Sequence, residues 1–570
     1  MRSKAHLLSR AVGWSAIALV LMHPVLAVGE GKDPDTTSDG STREEIALLK
    51  LQLAVQQQQI DQLRQDLDEQ RNLLRLATRA AATAGDAHVP ASSGGAVRPT
   101  EVASLAPMVP APAPGGAGTT TIPVVSQAAS ATEKPAPMSF SIGSAHISPV
   151  GFAELIGYVR DRNVGSGLGT SFAGIPFSNT ANGNLSEANL NAQQSRLGFR
   201  LDTRVPGMGL LAYLETDFLG TSPGNVAVTT NGNSVRMRLF WVNLTRNKFE
   251  FLAGQSWSLL TPNRKGISPL PSGIFNTIVV DPNNHVGLVW TRAPQVRFVY
   301  HPNSTVSMAA SLESPSQYAG GSGGAGVITF PSALASSYAS QVNTGGIAYG
   351  SPSPLPDFIG KLALDHTVGG RLFHLEFSGL LRRFAVFNPL TQVSYGVMGG
   401  GGSVNGNVEI VKDFRLFAST FYSDGGGRYI YGMGPDLIVR GDGSLSPVRA
   451  YSTLDGFEVL AGRHVTVYGY YGGAYFQQNV AIDPLTGKPV GYGYQGSPSS
   501  HNRAIQQVTF GLSYLFWRKP EYGGLSLNTQ YSYVFRNPWD PVSSQLGDAH
   551  VNVLYLGLRY LLPGAAPSPK

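Results

Sequence analysis

The chain has 570 residues and a formal net charge of +6, and only 14% of its residues are charged. It contains no cysteine, which excludes a disulfide framework, a thiolate metal centre and a cysteine nucleophile. The 68 glycines, 23 tyrosines and 25 phenylalanines fit strands and turns better than helices. No apolar run beyond about residue 30 is long enough to cross a bilayer as a helix, so a membrane location would require a β-barrel.

The first 27 residues have the pattern of an export signal. Basic residues at positions 2, 4 and 10 precede the apolar core AVGWSAIALVLM (11–22), and small residues suitable for cleavage follow at 25–27. The alternative is an N-terminal membrane anchor. The short core and the polar segment after it favour a signal peptide over residues 1–27.

Residues 41–78 are predicted to form an α-helical coiled coil. Positions 41–77 contain neither glycine nor proline, and Ser41 followed by Glu44 resembles a capping box. Five unbroken heptads place these residues at a and d: Ile46, Leu53, Ile60, Leu67 and Leu74 at a, and Leu49, Gln56, Leu63, Gln70 and Ala77 at d. A lone amphipathic helix packed on a domain is the alternative, but the pattern favours an oligomerising stalk.

Residues 79–138 are rich in alanine, proline, glycine, serine and threonine. Such a segment cannot bury enough apolar surface to fold by itself. We therefore expect a disordered, flexible linker between the stalk and the region that follows.

The stretch QQSRLGFRLDTRV (193–205) begins a region with a different pattern. Its arginines, spaced by four, fit one face of a helix, whereas a period of two places arginine on one face and leucine or phenylalanine on the other. GLLAYLETDF (209–218) alternates in the same way after a short Pro-Gly turn. The pair of segments therefore predicts a β-hairpin.

Similar alternation recurs along the chain. It appears in VRMRLFW (235–241), QVRFVYH (295–301), RLFHLEFSGLLRRF (371–384), VTFGLSYLF (508–516) and LSLNTQYSYVF (525–535). In the first of these, a period of two predicts that Met237, Leu239 and Trp241 share an apolar, water-free face (the dry face), opposite Arg236 and Arg238 on the polar face (the wet face).

A soluble β-sandwich would also alternate. Here the dry faces form continuous apolar sets, aromatic residues lie near the segment ends, and short turns alternate with long loops, a combination typical of membrane barrels. We therefore predict an all-β fold, a transmembrane antiparallel β-barrel of about 16 strands over residues 140–562, followed by a C-terminal tail at 563–570.

Basic residues on the wet faces of the early strands are the candidate binding residues. Guanidinium stays charged and can hold a carboxylate with two hydrogen bonds, so a row of arginines would attract small anions. The alternative for each arginine is a structural ion pair in a wet wall. The predicted site residues are Arg196, Arg200, Arg204, Arg236, Arg238, Arg297, Arg264 and Lys265.

Two of these residues, Arg264 and Lys265, lie in the long loop at 258–285. The loop follows the fifth predicted strand, and in position it resembles the constriction loop of general porins. An exposed loop with two ordinary cations is the alternative. The constriction role would place both cations across the lumen from the early arginines.

No motif of an enzyme or of a cofactor site is present. The chain has no Walker loop and no His-Glu-x-x-His pattern. Asp281 and His285 supply only two potential metal ligands, which do not make a site. We expect neither catalysis nor a cofactor or metal.

The chain resembles the DcaP-like family of outer-membrane porins. The likeness rests on the order of signal peptide, coiled coil and linker, then on SRLGFRLDT (195–203), AYLETDF (212–218), RMRLFWVNL (236–244) and FLAGQSWSLL (251–260). The resemblance implies a homotrimer of roughly sixteen-stranded barrels that passes small organic anions, including dicarboxylates. One departure is the terminal PGAAPSPK, since porins usually end on an aromatic residue.

The combined prediction is a bacterial outer-membrane porin for passive diffusion of small hydrophilic solutes, with a preference for small anionic solutes. The expected partners are outer-membrane lipids and two further copies of the chain, with no nucleic acid. The stalk would stand in the periplasm, where peptidoglycan or a periplasmic protein is a possible contact. The alternative is a barrel that serves as a membrane-anchored enzyme or a surface adhesin.

Overall fold

The structure is a computed structural model that describes residues 138–220, 234–275, 277–321, 325–344, 352–353, 355–519, 522–539 and 547–563. The predicted signal peptide and coiled coil lie outside these residues. So do the linker and the C-terminal tail, except for one residue of each.

Sixteen long strands of the described residues form one closed antiparallel barrel. In barrel order they are β2 (Ala145–Arg160), β4 (Arg196–Val205), β5 (Met208–Asp217), β6 (Arg236–Arg246), β7 (Phe249–Trp257), β8 (Arg292–Tyr300), β9 (Val306–Glu313), β12 (Asp357–Val368), β13 (Arg371–Asn388), β14 (Val393–Val411), β15 (Phe414–Asp424), β18 (Arg449–Ala461), β19 (Val465–Phe476), β22 (Asn502–Lys519), β23 (Gly523–Pro538) and β24 (His550–Leu561). The last strand pairs with the first, from Phe152↔Leu561 to Arg160↔Val553. The predicted fold class is therefore confirmed.

The remaining elements are short. β1 (Phe140–Ile142) and β3 (Glu187–Asn191) pair with the two ends of β2. The others lie in loops. Three are hairpins: β10 (Gly320–Gly321) with β11 (Gly326–Val327), β16 (Leu437–Val439) with β17 (Leu445–Pro447), and β20 (Asn479–Ile482) with β21 (Pro489–Tyr492). The rest are the 3-10 turns Phe172–Gly174, Asn182–Asn184 and Gly427–Tyr429, and the short helix Ala335–Ala339. In the described part of the chain no helix is long and apolar enough to cross a membrane.

The predicted hairpin at 196–217 is present as β4 and β5. Val205 pairs with Met208 across the Pro-Gly turn. Leu197 and Phe199 are exposed on the outer surface, whereas Arg196 is buried inside the barrel. The period of two therefore separates an apolar outer face from a polar inner face.

Strand β6 departs from simple alternation. Thr216 pairs with Met237 but Glu215 pairs with Leu239, so Arg238 is the extra residue of a β-bulge. Beyond the bulge the faces exchange: Phe240 is 58% exposed, whereas Leu239 and Trp241 are 0% and 1% exposed. The prediction that Leu239 and Trp241 share the dry face with Met237 was wrong, because one inserted residue shifts every later side chain to the opposite face.

Short turns and long loops lie at opposite ends of the barrel. Turns of two to five residues join β4 to β5, β6 to β7, β8 to β9, β12 to β13, β14 to β15 and β18 to β19. The other end carries longer connections, including L1 (161–195), L3 (258–291) and L6 (425–448). This asymmetry was predicted, and it is the usual arrangement of bacterial outer-membrane barrels.

L3 folds into the barrel. Among its described residues, Lys265 alone is exposed, and most of the others are buried. Its apolar residues, including Ile278, Val279 and Leu288, pack with Tyr213 and Trp241 of the inner wall. The loop therefore occupies the lumen and is not a surface excursion.

Replacing Phe240 tests the bulge in β6. Since Phe240 lies mid-strand on the outer face, Phe240→Arg should lower the free energy of unfolding in lipid vesicles by about 2 to 4 kcal/mol. Phe240→Leu is the apolar control and should unfold close to the wild type in urea titrations. If Phe240→Arg were as stable as Phe240→Leu, Phe240 would face water and the bulge would be absent.

Candidate functional site in the barrel lumen

L3 is attached to inner-wall side chains on both sides of the lumen. Its first half is held near β9, β12 and β13: Leu259 N donates to Glu313 at 2.7 Å, and Gly266 N donates to Asp365 at 2.9 Å. Its second half is held by the late strands, where Ile278 N donates to the Tyr470 hydroxyl and Val280 N to Gln530 Oε1. These bonds fix the loop across the barrel.

Three of the predicted arginines form one cluster with two carboxylates of β5. Arg236 and Arg238 each donate to Asp217 Oδ2 at 2.8 Å, and Arg238 Nε also donates to Glu215. Arg196 Nη1 lies 3.5 Å from Glu215 Oε1. The hairpin and the bulge in β6 bring these side chains together, because Arg236 and the bulge residue Arg238 both point inward beside β5.

A fourth arginine, Arg292, joins this arginine cluster from the junction between L3 and β8. Its guanidinium lies 5.2 Å from the centre of the Trp257 ring, which stacks on Trp290 at 3.8 Å. The Nη1 atom of Arg292 is buried and has no hydrogen-bond partner among the described residues. An unsatisfied guanidinium donor is costly to bury and is available to an incoming acceptor.

L6 brings a further donor to the arginine cluster. It runs beside the end of L3, where Trp290 N donates to Tyr429 O at 3.1 Å. The buried hydroxyl of Tyr431 has no partner among the described residues. Burial and the Asp281 carboxylate raise the pKa of this hydroxyl, against the opposing charges of Arg236 and Arg292, so Tyr431 stays protonated and can donate.

The other predicted residues of the early strands lie outside the arginine cluster. Arg297 donates to Gln295 Oε1 and, at 2.6 Å, to Trp257 O. Arg200 pairs with Asp202 of its own strand at 2.7 Å. Arg204 is exposed near the short-turn end. These positions extend the basic wall toward that end but do not share one site.

The two predicted cations of L3 have different surroundings. Arg264 makes two hydrogen bonds of 2.9 Å to the carboxylate of Glu458 and lies 4.6 Å from the centre of the Phe275 ring. Glu458 belongs to β18, the twelfth barrel strand, whereas Glu215 belongs to β5, the third. Arg264 is thus bound to the wall opposite the arginine cluster, and Lys265 is exposed beside it.

The arginine cluster carries excess positive charge. Since guanidinium keeps its proton in proteins, Arg196, Arg236, Arg238 and Arg292 contribute four positive charges, and Glu215 and Asp217 contribute two negative charges. The surplus is therefore 4 − 2 = +2. Arg559 nearby adds nothing, because Glu154 neutralises it at 2.7 Å.

Sequence reasoning missed Arg292 and Tyr431. Alternation along β8 places Ala293, Gln295 and Arg297 inward and therefore assigns Arg292 to the outer face. At this end of β8, next to L3, the Arg292 side chain instead lies over the buried Trp257 ring. Tyr431 lies in a loop, where no periodic signal exists.

Removing one carboxylate tests the arginine cluster. Glu215→Gln leaves Arg196 and Arg238 without their shared buried partner and should lower the free energy of unfolding by about 3 to 5 kcal/mol. Asp202→Asn is the matched control, since its ion pair with Arg200 is half-exposed and is worth less than about 1 kcal/mol. Equal urea midpoints for the two variants would contradict the assignment.

The chain is similar in structure to the outer-membrane channel DcaP of Acinetobacter baumannii. The TM-score is 0.53 with 18% sequence identity, over 74% of this chain and 99% of that chain. An anion-selective porin from Comamonas acidovorans has a TM-score of 0.41 with 10% identity, over 73% of this chain and all of that chain. OmpF of Salmonella typhi in complex with daunomycin has a TM-score of 0.39 with 8% identity, over 75% and 100%.

No protein-family model and no curated protein matches the chain. The DcaP structure shares the barrel over almost its whole length. The resemblance predicted from the sequence is therefore confirmed at the level of the fold, which is that of a DcaP-like porin barrel.

Proposed function

We propose that this protein is an outer-membrane porin through which small hydrophilic solutes diffuse passively, with a preference for small organic anions such as dicarboxylates. The closed barrel with an apolar outer face and a polar inner face supports a membrane channel. Diffusion requires no catalytic chemistry. In this proposal L3 narrows the lumen, and solutes pass between L3 and the wall.

The single observation that carries the anion preference is the surplus charge of the arginine cluster. A net surplus of two positive charges in the wall of the narrowed lumen attracts anions and repels cations. The unpartnered Nη1 of Arg292 and hydroxyl of Tyr431 offer donors to a carboxylate oxygen. Because Arg196, Arg236 and Arg238 already bind carboxylates of the wall, a solute anion would exchange between partners and would not be trapped.

A dicarboxylate suits this arrangement better than a monocarboxylate. One carboxylate can approach Arg292 while the other reaches a neighbouring guanidinium. Each contact resembles those that Glu215 and Asp217 already make with Arg238 and Arg236. The rest of the predicted basic wall, with Arg200, Arg204, Arg297, Arg264 and Lys265, would guide anions to and from this point.

The orientation follows from the ends of the barrel. The first barrel strand starts and the last one finishes at the short-turn end, which in this class of barrel faces the periplasm. The predicted stalk at 41–78 would therefore stand in the periplasm. We further propose a homotrimer, on the basis of the family resemblance and of the five heptads.

Measuring ion selectivity tests the function. In planar bilayers under a salt gradient, the wild type should give a reversal potential of the sign expected for anion preference. Arg292→Gln should lower the ratio of anion to cation permeability by about threefold, because it removes half of the surplus charge. A cation-selective wild type would overturn the proposed preference.

Arg463→Gln is the matched control, since it removes the same charge from an exposed short turn. Its permeability ratio should equal that of the wild type. Liposome swelling by small sugars and acids separates a porin from a barrel enzyme or an adhesin. Absence of swelling would contradict the channel itself.

Deleting residues 41–77 tests the stalk. If the heptads assemble the protomers, the shortened protein should lose trimer in detergent at concentrations where the full chain is trimeric, as measured by light scattering after size exclusion. A shortened protein that stays equally trimeric would show that the barrels assemble without the stalk.

A further inference from the structure

A buried histidine lies between two carboxylates where L3 enters the lumen. His374, at 0% exposure on the inner face of β13, has Nδ1 at 2.9 Å from Asp365 Oδ1 and Nε2 at 3.3 Å from Glu376 Oε2. Asp365 belongs to the neighbouring strand β12, and Glu376 follows two residues later on β13. Both ring nitrogens therefore face ionisable oxygens.

A neutral imidazole cannot make both of these hydrogen bonds to ionised carboxylates. It carries one N–H, so its second nitrogen would point a lone pair at the other carboxylate. The imidazolium form carries two N–H groups and can donate to Asp365 and Glu376 at once. The observed geometry is therefore the one that a protonated His374 requires.

The same two carboxylates hold L3. Glu376 accepts from Asn263 N at 3.2 Å, and Asp365 Oδ2 accepts from Gly266 N at 2.9 Å. Lys361 strengthens the attachment, because its Nζ donates to Glu376 and, at 2.8 Å, to Thr261 O. His374, Asp365, Glu376 and Lys361 thus form an anchor for residues 261–266 of L3.

The charges around this anchor balance only when His374 is protonated. Asp365 and Glu376 contribute −2 and Lys361 contributes +1, so imidazolium brings the sum to zero and neutral imidazole leaves −1.

The neighbouring elements do not supply the missing charge. From β8 and β9, Arg297 and Glu313 both act on Lys361, and their opposite charges cancel. From β14, Asn405 and Asn407 are uncharged and buried. From L3, Arg264 is neutralised by Glu458 of β18, and Lys265 is exposed. Arg415 of β15 lies beside the Arg264–Glu458 pair and is opposed by Glu409 of β14.

We propose that His374, Asp365, Glu376 and Lys361 form a pH-sensitive latch that holds L3 against the wall when His374 is protonated and releases it when the proton is lost. A neutral His374 leaves one carboxylate facing a lone pair and leaves the buried anchor with a net negative charge. The bonds to Asn263 and Gly266 then weaken, and the first half of L3 can move away from β12 and β13. Acid pH favours the narrow lumen, and rising pH widens it.

The latch regulates the channel of the proposed function, and its conductance test rests on that function. In planar bilayers, the wild type should conduct more as the pH rises from about 5 to about 8, the range in which histidine changes charge. His374→Gln cannot titrate and should lose this pH dependence. His366→Gln, an exposed histidine on β12 of the same hairpin, should keep it.

A second measurement does not depend on transport. The chain has no cysteine, so Lys265→Cys allows a single spin label next to Gly266 at the anchor. Label mobility should increase with pH in the otherwise wild-type protein and stay constant with His374→Gln. If His374→Gln fails to fold, Asp365→Asn replaces it: one N–H then suffices for the remaining carboxylate, and the pH response should also be lost.

The outcomes separate the latch from the channel. Mobility that changes with pH in a barrel that does not conduct would support the latch and contradict the proposed function. Mobility and conductance that respond to pH equally in the wild type and in His374→Gln would overturn the latch. So would conductance that falls as the pH rises.

Discussion

The structure depends on the need of every buried peptide group for a hydrogen-bond partner. In hydrocarbon no water is available, so strands can cross a bilayer only when each has a neighbour on both sides. The pairing of β2 with β24 meets this condition by removing the two free edges of the sheet. The same requirement applies to L3, whose irregular backbone is enclosed by the barrel. Inner-wall side chains meet this requirement: Tyr470 and Gln530 accept hydrogen bonds from the N–H groups of Ile278 and Val280.

Where L3 packs against the inner wall, it also removes wall charges from water. Burying a charge is favourable only when another group compensates it, and the wall pairs its charges accordingly. Arg238 lies between Glu215 and Asp217, and Arg264 binds both oxygens of Glu458. Arg292, with its unpartnered Nη1, is one exception to this pairing with a carboxylate, and the anchor at His374, which balances only with an added proton, is another. In the proposed channel, each exception is a place where a solute anion or a proton has an effect.

The fold could be predicted to a large extent from the sequence. Alternation of arginine with leucine and phenylalanine, short turns between paired segments, and runs of about ten residues are local properties, and a strand expresses them directly. The prediction was wrong in β6, where strict alternation was assumed but the pairing with the neighbouring strand inserts an extra residue. Leu239 and Trp241 face inward because β6 contains a bulge that is visible only in its pairing with β5. The predicted arginines Arg196, Arg236 and Arg238 do come together, but their partners depend on the register of three strands.

The sequence by itself determined the class of the molecule: an antiparallel barrel with an apolar outer face, a basic inner face, and long loops at one end, including one after the fifth strand. These features follow from the period of two and from turn composition, which act over a few residues. Only the tertiary structure decided that L3 folds into the lumen, that Arg292 joins the arginine cluster, and that His374 lies between Asp365 and Glu376. Each of these contacts joins residues of different strands or loops, and barrel closure and strand register set their distances.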